Sequence, residues 1–275
     1  MINKHRKIIV SVAPVGREVS TPSINPITPG HVAAEVAACA EAGASMVHLH
    51  VRDRRGNQTA DMTDFSRTLD HIRATSDIII QGSTGGLVDL TIEERSTALN
   101  DQRVQTASLN MGSVNFGDEV YVNTMPDIRH WARRMAAEKI VPELEIFEAG
   151  MLPVYKQLMD EGVLSHPFSF NFILGVEWGL PAVPNSLFFL TSLLDAPFPW
   201  GVTHAAMQDF SILAMAIGLG AAVVRVGFED SVFYAPGKPA STNVELVKRA
   251  VALIHNMGFE VATTEEARVI LDVLK

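Results

Sequence analysis

Eight short runs rich in valine and isoleucine recur along the chain, each parted from the next by an amphipathic or alanine-rich stretch long enough for a helix. Near-continuous apolar strands are buried on both faces, which is the condition of parallel strands joined by crossover helices. The runs fall at 7–13, 45–51, 77–82, 105–110, 140–147, 169–174, 199–203 and 222–227. Helices are expected over 28–42, 64–75, 91–100, 125–138, 184–194, 207–219 and 242–257. Thr28-Pro29 provides an N-cap followed by proline at the first helical position, and Gly43 stands where that helix should stop. No low-complexity linker, charge block or shift in composition divides the 275 residues, and 47% hydrophobic content suffices for one large core. The expectation is therefore α/β, a single (β/α)8 or TIM-barrel domain over residues 1–275.

Along a strand successive side chains alternate faces, so His48 and His50 in Met46-Val47-His48-Leu49-His50-Val51 point one way and the apolar residues the other. In a barrel this turns both imidazoles inward near the C-terminal end of strand two, where barrel active sites lie. Histidines so spaced also occur as hydrogen-bonded core residues. A catalytic zinc usually takes three protein ligands and keeps a position open. The last strand offers the third: in Val223-Val224-Arg225-Val226-Gly227-Phe228-Glu229-Asp230, parity turns Arg225, Gly227 and Glu229 inward together. Barrel closure puts strand eight beside strand one, and strand one beside strand two, so Glu229 can meet the histidines. The plainer alternative is an Arg225–Glu229 or Arg225–Asp230 ion pair that only satisfies buried charge.

Two further segments face the same space. Gln81-Gly82-Ser83-Thr84-Gly85-Gly86 follows strand three, with glycines that let backbone approach a ligand and hydroxyls that can donate; an ordinary glycine-rich turn fits as well. Glu143 and Glu145 put two carboxylates on the inward face of strand five, which is unfavourable in a core unless a cation or a hydrogen-bond network meets them. A cationic substrate group or a structural arginine network would serve. Trp178, Phe188 and Phe189 can shape an apolar pocket or simply pack. His166 and His204 lack a ligand-like context and read as ordinary polar or packed histidines.

A formal net charge of −9 argues against nucleic acid as a partner. One cysteine, Cys39, lies in an alanine-rich helical run, which fits a packed thiol and a reducing compartment. The basic start, Met1 to Lys7, is followed by Ile8-Ile9-Val10, which Ser11 and Pro14 soon interrupt, so no signal-peptide core is expected. Without an apolar stretch of ~18 residues, no membrane span is expected either. These features together point to a soluble cytoplasmic protein.

The segments taken together resemble the β-keto acid cleavage enzyme family. The likeness runs from Ala13-Pro14-Val15-Gly16 through His48-Leu49-His50-Val51-Arg52-Asp53, Gly82-Ser83-Thr84-Gly85-Gly86, Ser108-Leu109-Asn110-Met111-Gly112-Ser113 and Pro142-Glu143-Leu144-Glu145 to Arg225-Val226-Gly227-Phe228-Glu229-Asp230. It implies a zinc barrel that takes a β-keto acid and acetyl-CoA as cosubstrate and gives acetoacetate and a new CoA thioester. By motif position, His48, His50 and Glu229 would hold Zn2+, Arg225 and Asp230 would serve proton abstraction, and Ser83 would contact the substrate. Thr84, Gly85, Gly86, Ser108, Asn110 and a strand-five glutamate, Glu143 or Glu145, would line its pocket. A homo-oligomer, a tetramer, is implied as well. Because a guanidinium stays protonated in nearly every protein setting, Asp230 is the better base, with Arg225 orienting it and stabilising anionic intermediates.

Other metal-dependent barrels share parts of this pattern. Amidohydrolase-type hydrolases carry a His-x-His pair on the first strand, whereas here it is on the second. An aldolase or lyase also stabilises an enolate and differs in needing no coenzyme A. A non-catalytic barrel that senses a small acid would bind its ligand without turnover.

Overall fold

A computed structural model describes residues 6–16, 25–86 and 90–273; most of the basic start, residues 1–5, lies outside them. Its barrel strands are β1 (Lys7–Val12), β2 (Met46–Leu49), β3 (Ile79–Gly82), β4 (Thr106–Asn110), β5 (Val141–Ile146), β6 (Ser169–Ile173), β7 (Trp200–Thr203) and β8 (Val223–Val226). Each lies within its expected run. All neighbours pair in parallel, and β8 returns to pair with β1 through Ile9↔Val223 and Ser11↔Arg225, closing a TIM barrel. The helices are α1 (Pro29–Glu41), α2 (Thr63–Thr75), α3 (Ile92–Arg95), α4 (Met125–Glu138), α5 (Val154–Asp160), α6 (Pro184–Ser192), α7 (Ser211–Leu219), α8 (Asn243–Asn256) and α9 (Thr264–Leu271).

Strand parity sorts the interior into levels. Ile8, Val10, Val12, Val47, Leu49, Ile80, Leu144, Phe170, Val202 and Val224 belong to the core shared with the helices. On the opposite faces, Ile9, Met46, Ile79, Val141 and Val223 form an apolar plug packed against Ala267 and Leu271 of α9. Two residues further along, all eight strands turn polar: Ser11, His48, Gln81, Ser108, Glu143, Asn171, Thr203 and Arg225, every one buried. In such a level, partnering among its groups is what offsets their burial. Thr203 Oγ1 donates to Asn171 Oδ1 at 3.1 Å, and Asn171 Nδ2 donates to Glu143 Oε1 at 3.0 Å. The candidate site stands on this polar floor, at the C-terminal end of the strands.

Several helices depart from expectation for local reasons. The third does not run through 91–100: Ser96 Oγ bonds back to the carbonyls of Ile92 and Glu93, and the chain continues as a 3-10 turn over Thr97–Asn100. The seventh begins at Ser211 and not at 207, because Asp209 Oδ1 accepts from the Ser211 amide at 2.8 Å and ends a turn there. Two helices, α5 and α9, stand outside the expected set; α9 is capped by the reciprocal Thr263–Glu266 pair. Two hairpins, Val114–Phe116 with Glu119–Tyr121 and Phe233–Ala235 with Lys238–Pro239, follow β4 and β8.

Candidate active site

His48, His50 and Glu229 converge. Glu229 Oε1 lies 3.4 Å from His48 Nε2 and 3.3 Å from His50 Nε2, and the candidate ligand atoms all fall within 4.8 Å of one another. These separations are long for charge-assisted hydrogen bonds, which run ~2.7–2.9 Å. They match a coordination edge: ligands about 2.0–2.1 Å from a tetrahedral zinc stand about 3.3–3.4 Å apart. His48 is turned for the same purpose, since its Nδ1 is 2.7 Å from Gln81 Oε1 and donates there, leaving the Nε2 lone pair facing Glu229. Burial, reinforced by the Arg225 charge, lowers the His48 pKa to about 3 and keeps the ring neutral, as a ligand must be. Gln58 sits 2.8 Å from His50 Nδ1 through Nε2, while its buried Oε1 has no partner. Turning that amide over satisfies Oε1 with the Nδ1 proton and frees His50 Nε2 as well.

Glu229 reaches the histidines by a turn rather than by strand parity. β8 ends at Val226, and Gly227 has φ of 142°, with the backbone of Ala13 where a side chain would begin. Only glycine lets the chain bend so close to β1. The bend is fixed by Asp230 N and Ser231 N donating to Gly227 O, and by Glu229 N donating to Ala13 O at 3.1 Å. Both acidic residues after it therefore face Arg225. The guanidinium donates to both oxygens of Asp230 at 2.9 Å and to Glu229 Oε1 at 2.8 Å, and it lies 3.6 Å from Glu145 Oε1.

The electrostatics follow from this crowding. Burial alone would lower the Arg225 pKa, but Asp230, Glu229 and Glu145 outweigh it and raise it, so the arginine is a fixed cation. Burial raises Asp230 to about 6 and Glu145 to about 8 against the pull of the same guanidinium. For Glu229 the two imidazoles and Arg225 overcome burial and hold the carboxyl well below its usual range.

Above this cluster opens a cavity of about 550 Å³. His48, His50, Ser83, Gly85, Gly86, Glu145, Arg225, Glu229 and Asp230 all line it. The other four expected pocket residues lie behind that surface. Thr84 Oγ1 donates to the Ser108 carbonyl, Ser108 Oγ is 3.5 Å from Ser83 Oγ, and Asn110 Nδ2 donates to Tyr121 at 2.8 Å. Glu143, bound to Asn171, sits one level deeper than Glu145; of the two glutamates, Glu145 is the one at the cavity. Of the residues expected to shape a pocket or to pack, Phe188 and Phe189 are instead exposed at 62% and 49%, while Trp178, 69% exposed, borders a separate open cavity beside Pro181 and Met207 and not the one above the cluster. His204 packs on Phe210, and His166 stacks with Phe168 and Phe198.

The hairpin after β4 contributes two residues that the motifs did not reveal, Phe116 and Tyr121. The Tyr121 hydroxyl occupies the place a Cβ would take on Gly85, whereas the next atoms, Ser83 Oγ and the Tyr121 ring carbon, would be 3.2 and 3.5 Å away. Gly85→Ala is thus expected to lower unfolding free energy by about 1–3 kcal/mol through overpacking. Tyr121→Phe removes the obstructing oxygen but also strands the Asn110 amide, so the readout is a double-mutant cycle in denaturant titrations: Gly85→Ala should cost less in the Tyr121→Phe background than in wild type. An equal cost of Gly85→Ala in both backgrounds would show that the hydroxyl does not restrict this loop.

The model of the beta-keto acid cleavage enzyme family matches residues 7–273. The chain is 38% identical over 274 residues to the 3-keto-5-aminohexanoate cleavage enzyme of Acetoanaerobium sticklandii, covering 98% of this chain and 99% of that one. It is 32% identical to the 3-dehydrocarnitine:acetyl-CoA trimethylamine transferase of Rhizobium meliloti, over 97% of this chain and 96% of the relative. Among solved structures, apo ObcA superposes with a TM-score of 0.74 at 17% identity, over 90% of this chain and 65% of that one, a likeness of fold.

Proposed function

The chain belongs to the β-keto acid cleavage enzyme family, and we propose that it is a zinc-dependent enzyme condensing a β-keto acid with acetyl-CoA to give acetoacetate and a new acyl-CoA. The observation that carries this reading is the meeting of His48, His50 and Glu229 with the Arg225–Asp230 pair in one cavity. His48, His50 and Glu229 would hold zinc, which when bound supplies Lewis acidity that makes the methylene beside a keto group easier to deprotonate. Its lack of redox chemistry suits a reaction that has none.

The chain's own groups account for the rest. Asp230, held by two hydrogen bonds from Arg225, takes a proton from the methylene between the carboxylate and keto carbons, directly or through a water. Arg225 remains a cation beside the negative charge that develops. The carbanion attacks the acetyl thioester and expels the coenzyme thiolate. That thiolate then attacks the original keto carbon, the bond to the methylene carbon breaks, and Asp230 returns its proton to acetoacetate, so atoms and electrons balance without water. Ser83, Gly85 and Gly86 present hydroxyl and backbone groups to the substrate, with Thr84, Ser108 and Asn110 bracing them from behind and Glu145 facing the substrate. The direct test incubates a panel of β-keto acids with acetyl-CoA and measures acetoacetate, with and without zinc chelation. Acetoacetate from none of them, or full turnover by metal-free enzyme, would end this reading.

Residues 1–275 are read as one catalytic domain, cytoplasmic and self-associating, a tetramer by family likeness. No described helix is long and apolar enough to cross a membrane, and Cys39 is a buried thiol. Self-association is supported by the surface of α6, where Phe188 and Phe189 stand exposed with Leu193, Val183 and Trp178 close in sequence. Phe188→Glu combined with Phe189→Glu should bring the solution mass, read by light scattering, down toward that of one chain. A wild-type protein that already scatters as a single chain would remove the proposal.

A further inference from the structure

The loop after β2 carries more positive charge to the cavity rim than the site itself uses. Arg52, Gly56, Asn57 and Gln58 line the cavity, and Arg54 and Arg55, both exposed, project from the turn between them. This turn is built, not loose. Arg52 bridges Gln58, Asp53 N donates to Asn57 O, and Gly56 N donates to Asp53 O, each of the two bonds at 2.9 Å. The Asp53 carboxylate is spent on the turn itself, accepting from the amides of Arg55 and Asn57 at 2.8 and 3.0 Å and from Asn57 Nδ2 at 3.1 Å. Arg54 is tethered at its base, where Asp64 accepts from its amide at 3.1 Å, while its guanidinium stands a loose 3.7 Å from the same carboxylate.

Among the described residues, the side chains of the cavity wall add little further positive charge at the rim. Among those residues, Glu145, Glu177, Glu229 and Asp230 line the cavity against Arg52 and Arg225, and Arg225 is surrounded by three of those carboxylates. Acetyl-CoA is strongly anionic, with a 5′-diphosphate and a 3′-phosphate far from the reacting thioester. A pantetheine arm that delivers the acetyl group to the cavity floor leaves the phosphates at or beyond the rim. Guanidiniums are suited to phosphate oxygens, and a pair on a fixed turn loses little freedom in binding them.

We infer that Arg54 and Arg55 are the docking point for the phosphate-bearing end of acetyl-CoA, an inference that rests on the acetyl-CoA reading above. The test compares kcat/KM for acetyl-CoA with that for S-acetylpantetheine, which keeps the thioester arm and lacks every phosphate. Wild type should prefer acetyl-CoA. In Arg54→Ala/Arg55→Ala that preference should shrink by about tenfold, the scale of two exposed charge pairs. The Arg54→Lys/Arg55→Lys variant should recover much of it, and added salt should erode it in wild type more than in the alanine variant. A preference unchanged by the alanine pair, or a substitution that moves only the KM of the keto acid, overturns the inference while leaving the reaction intact. Wild-type enzyme that turns over neither thioester removes the acetyl-CoA reading, and this inference with it.

Discussion

His48→Ala is expected to strip the protein of bound zinc and of turnover together, with kcat/KM falling by at least ~10³-fold, the scale of several kcal/mol of Lewis-acid stabilisation. Three ligands are the working minimum of a catalytic zinc site, and the substitution leaves Glu229 and His50 alone. A fold-wide effect is the competing explanation. Alanine at this buried position leaves Gln81 Oε1 without its donor, which costs about 1–3 kcal/mol, less than a typical domain's whole stability. The variant should therefore remain folded, with wild-type far-ultraviolet dichroism and an unfolding midpoint only modestly lower. Elemental analysis of the purified protein then separates the outcomes. A folded His48→Ala protein with a full equivalent of zinc would take this histidine out of the metal site. One that loses zinc yet keeps its rate would take the metal out of the reaction.

The barrel was legible because burial on both strand faces leaves continuous apolar runs, and each of the eight runs contains its strand. Two-residue periodicity also turned His48, His50, Glu143, Glu145 and Arg225 inward, whereas Ser11, Asn171 and Thr203 of the same polar level carried no signal of their own. Periodicity says which face, however, and not which depth. Glu143 and Glu145 share a face, and only the register against Ser108, Asn110, Ser169 and Asn171 puts one beneath the cavity floor and the other at its surface. It also fails where a strand ends. Alternation carried past Val226 would send Glu229 inward and Asp230 outward; the bend at Gly227 brings both to Arg225, so the Arg225–Asp230 pair weighed as a plain ion pair does form, while a chemical role for Asp230 came from the family likeness. Tyr121 was hidden differently. Gly117-Asp118 between two β-favouring triplets is a recognisable hairpin signal, but nothing local tells that the hairpin brings a tyrosine hydroxyl against Gly85.

Asp230→Asn is expected to separate chemistry from metal binding: zinc retained, fold retained, and turnover lower by about 10²–10⁴-fold, the range for a lost general base. Asparagine has the same shape but cannot take a proton, and its amide nitrogen cannot accept from a guanidinium, so one of the two 2.9 Å bonds to Arg225 is lost. Arg225 stays in place, because Glu229 still pairs with it at 2.8 Å and asparagine still accepts one of its two bonds. Were Arg225 itself the base, the Asn variant would lose little, since removing one neighbouring negative charge makes a neutral arginine easier to form. Three surrounding carboxylates argue against that, as they favour the charged form. Hydrogen exchange gives the cleanest readout. In deuterated water, wild-type enzyme should speed loss of the methylene protons of a bound β-keto acid, followed by proton NMR without acetyl-CoA. Asp230→Asn should bind the same acid and leave exchange near its background rate. Wild-type-like exchange in that variant would remove Asp230 as the proton acceptor and return the question to the water or the arginine beside it.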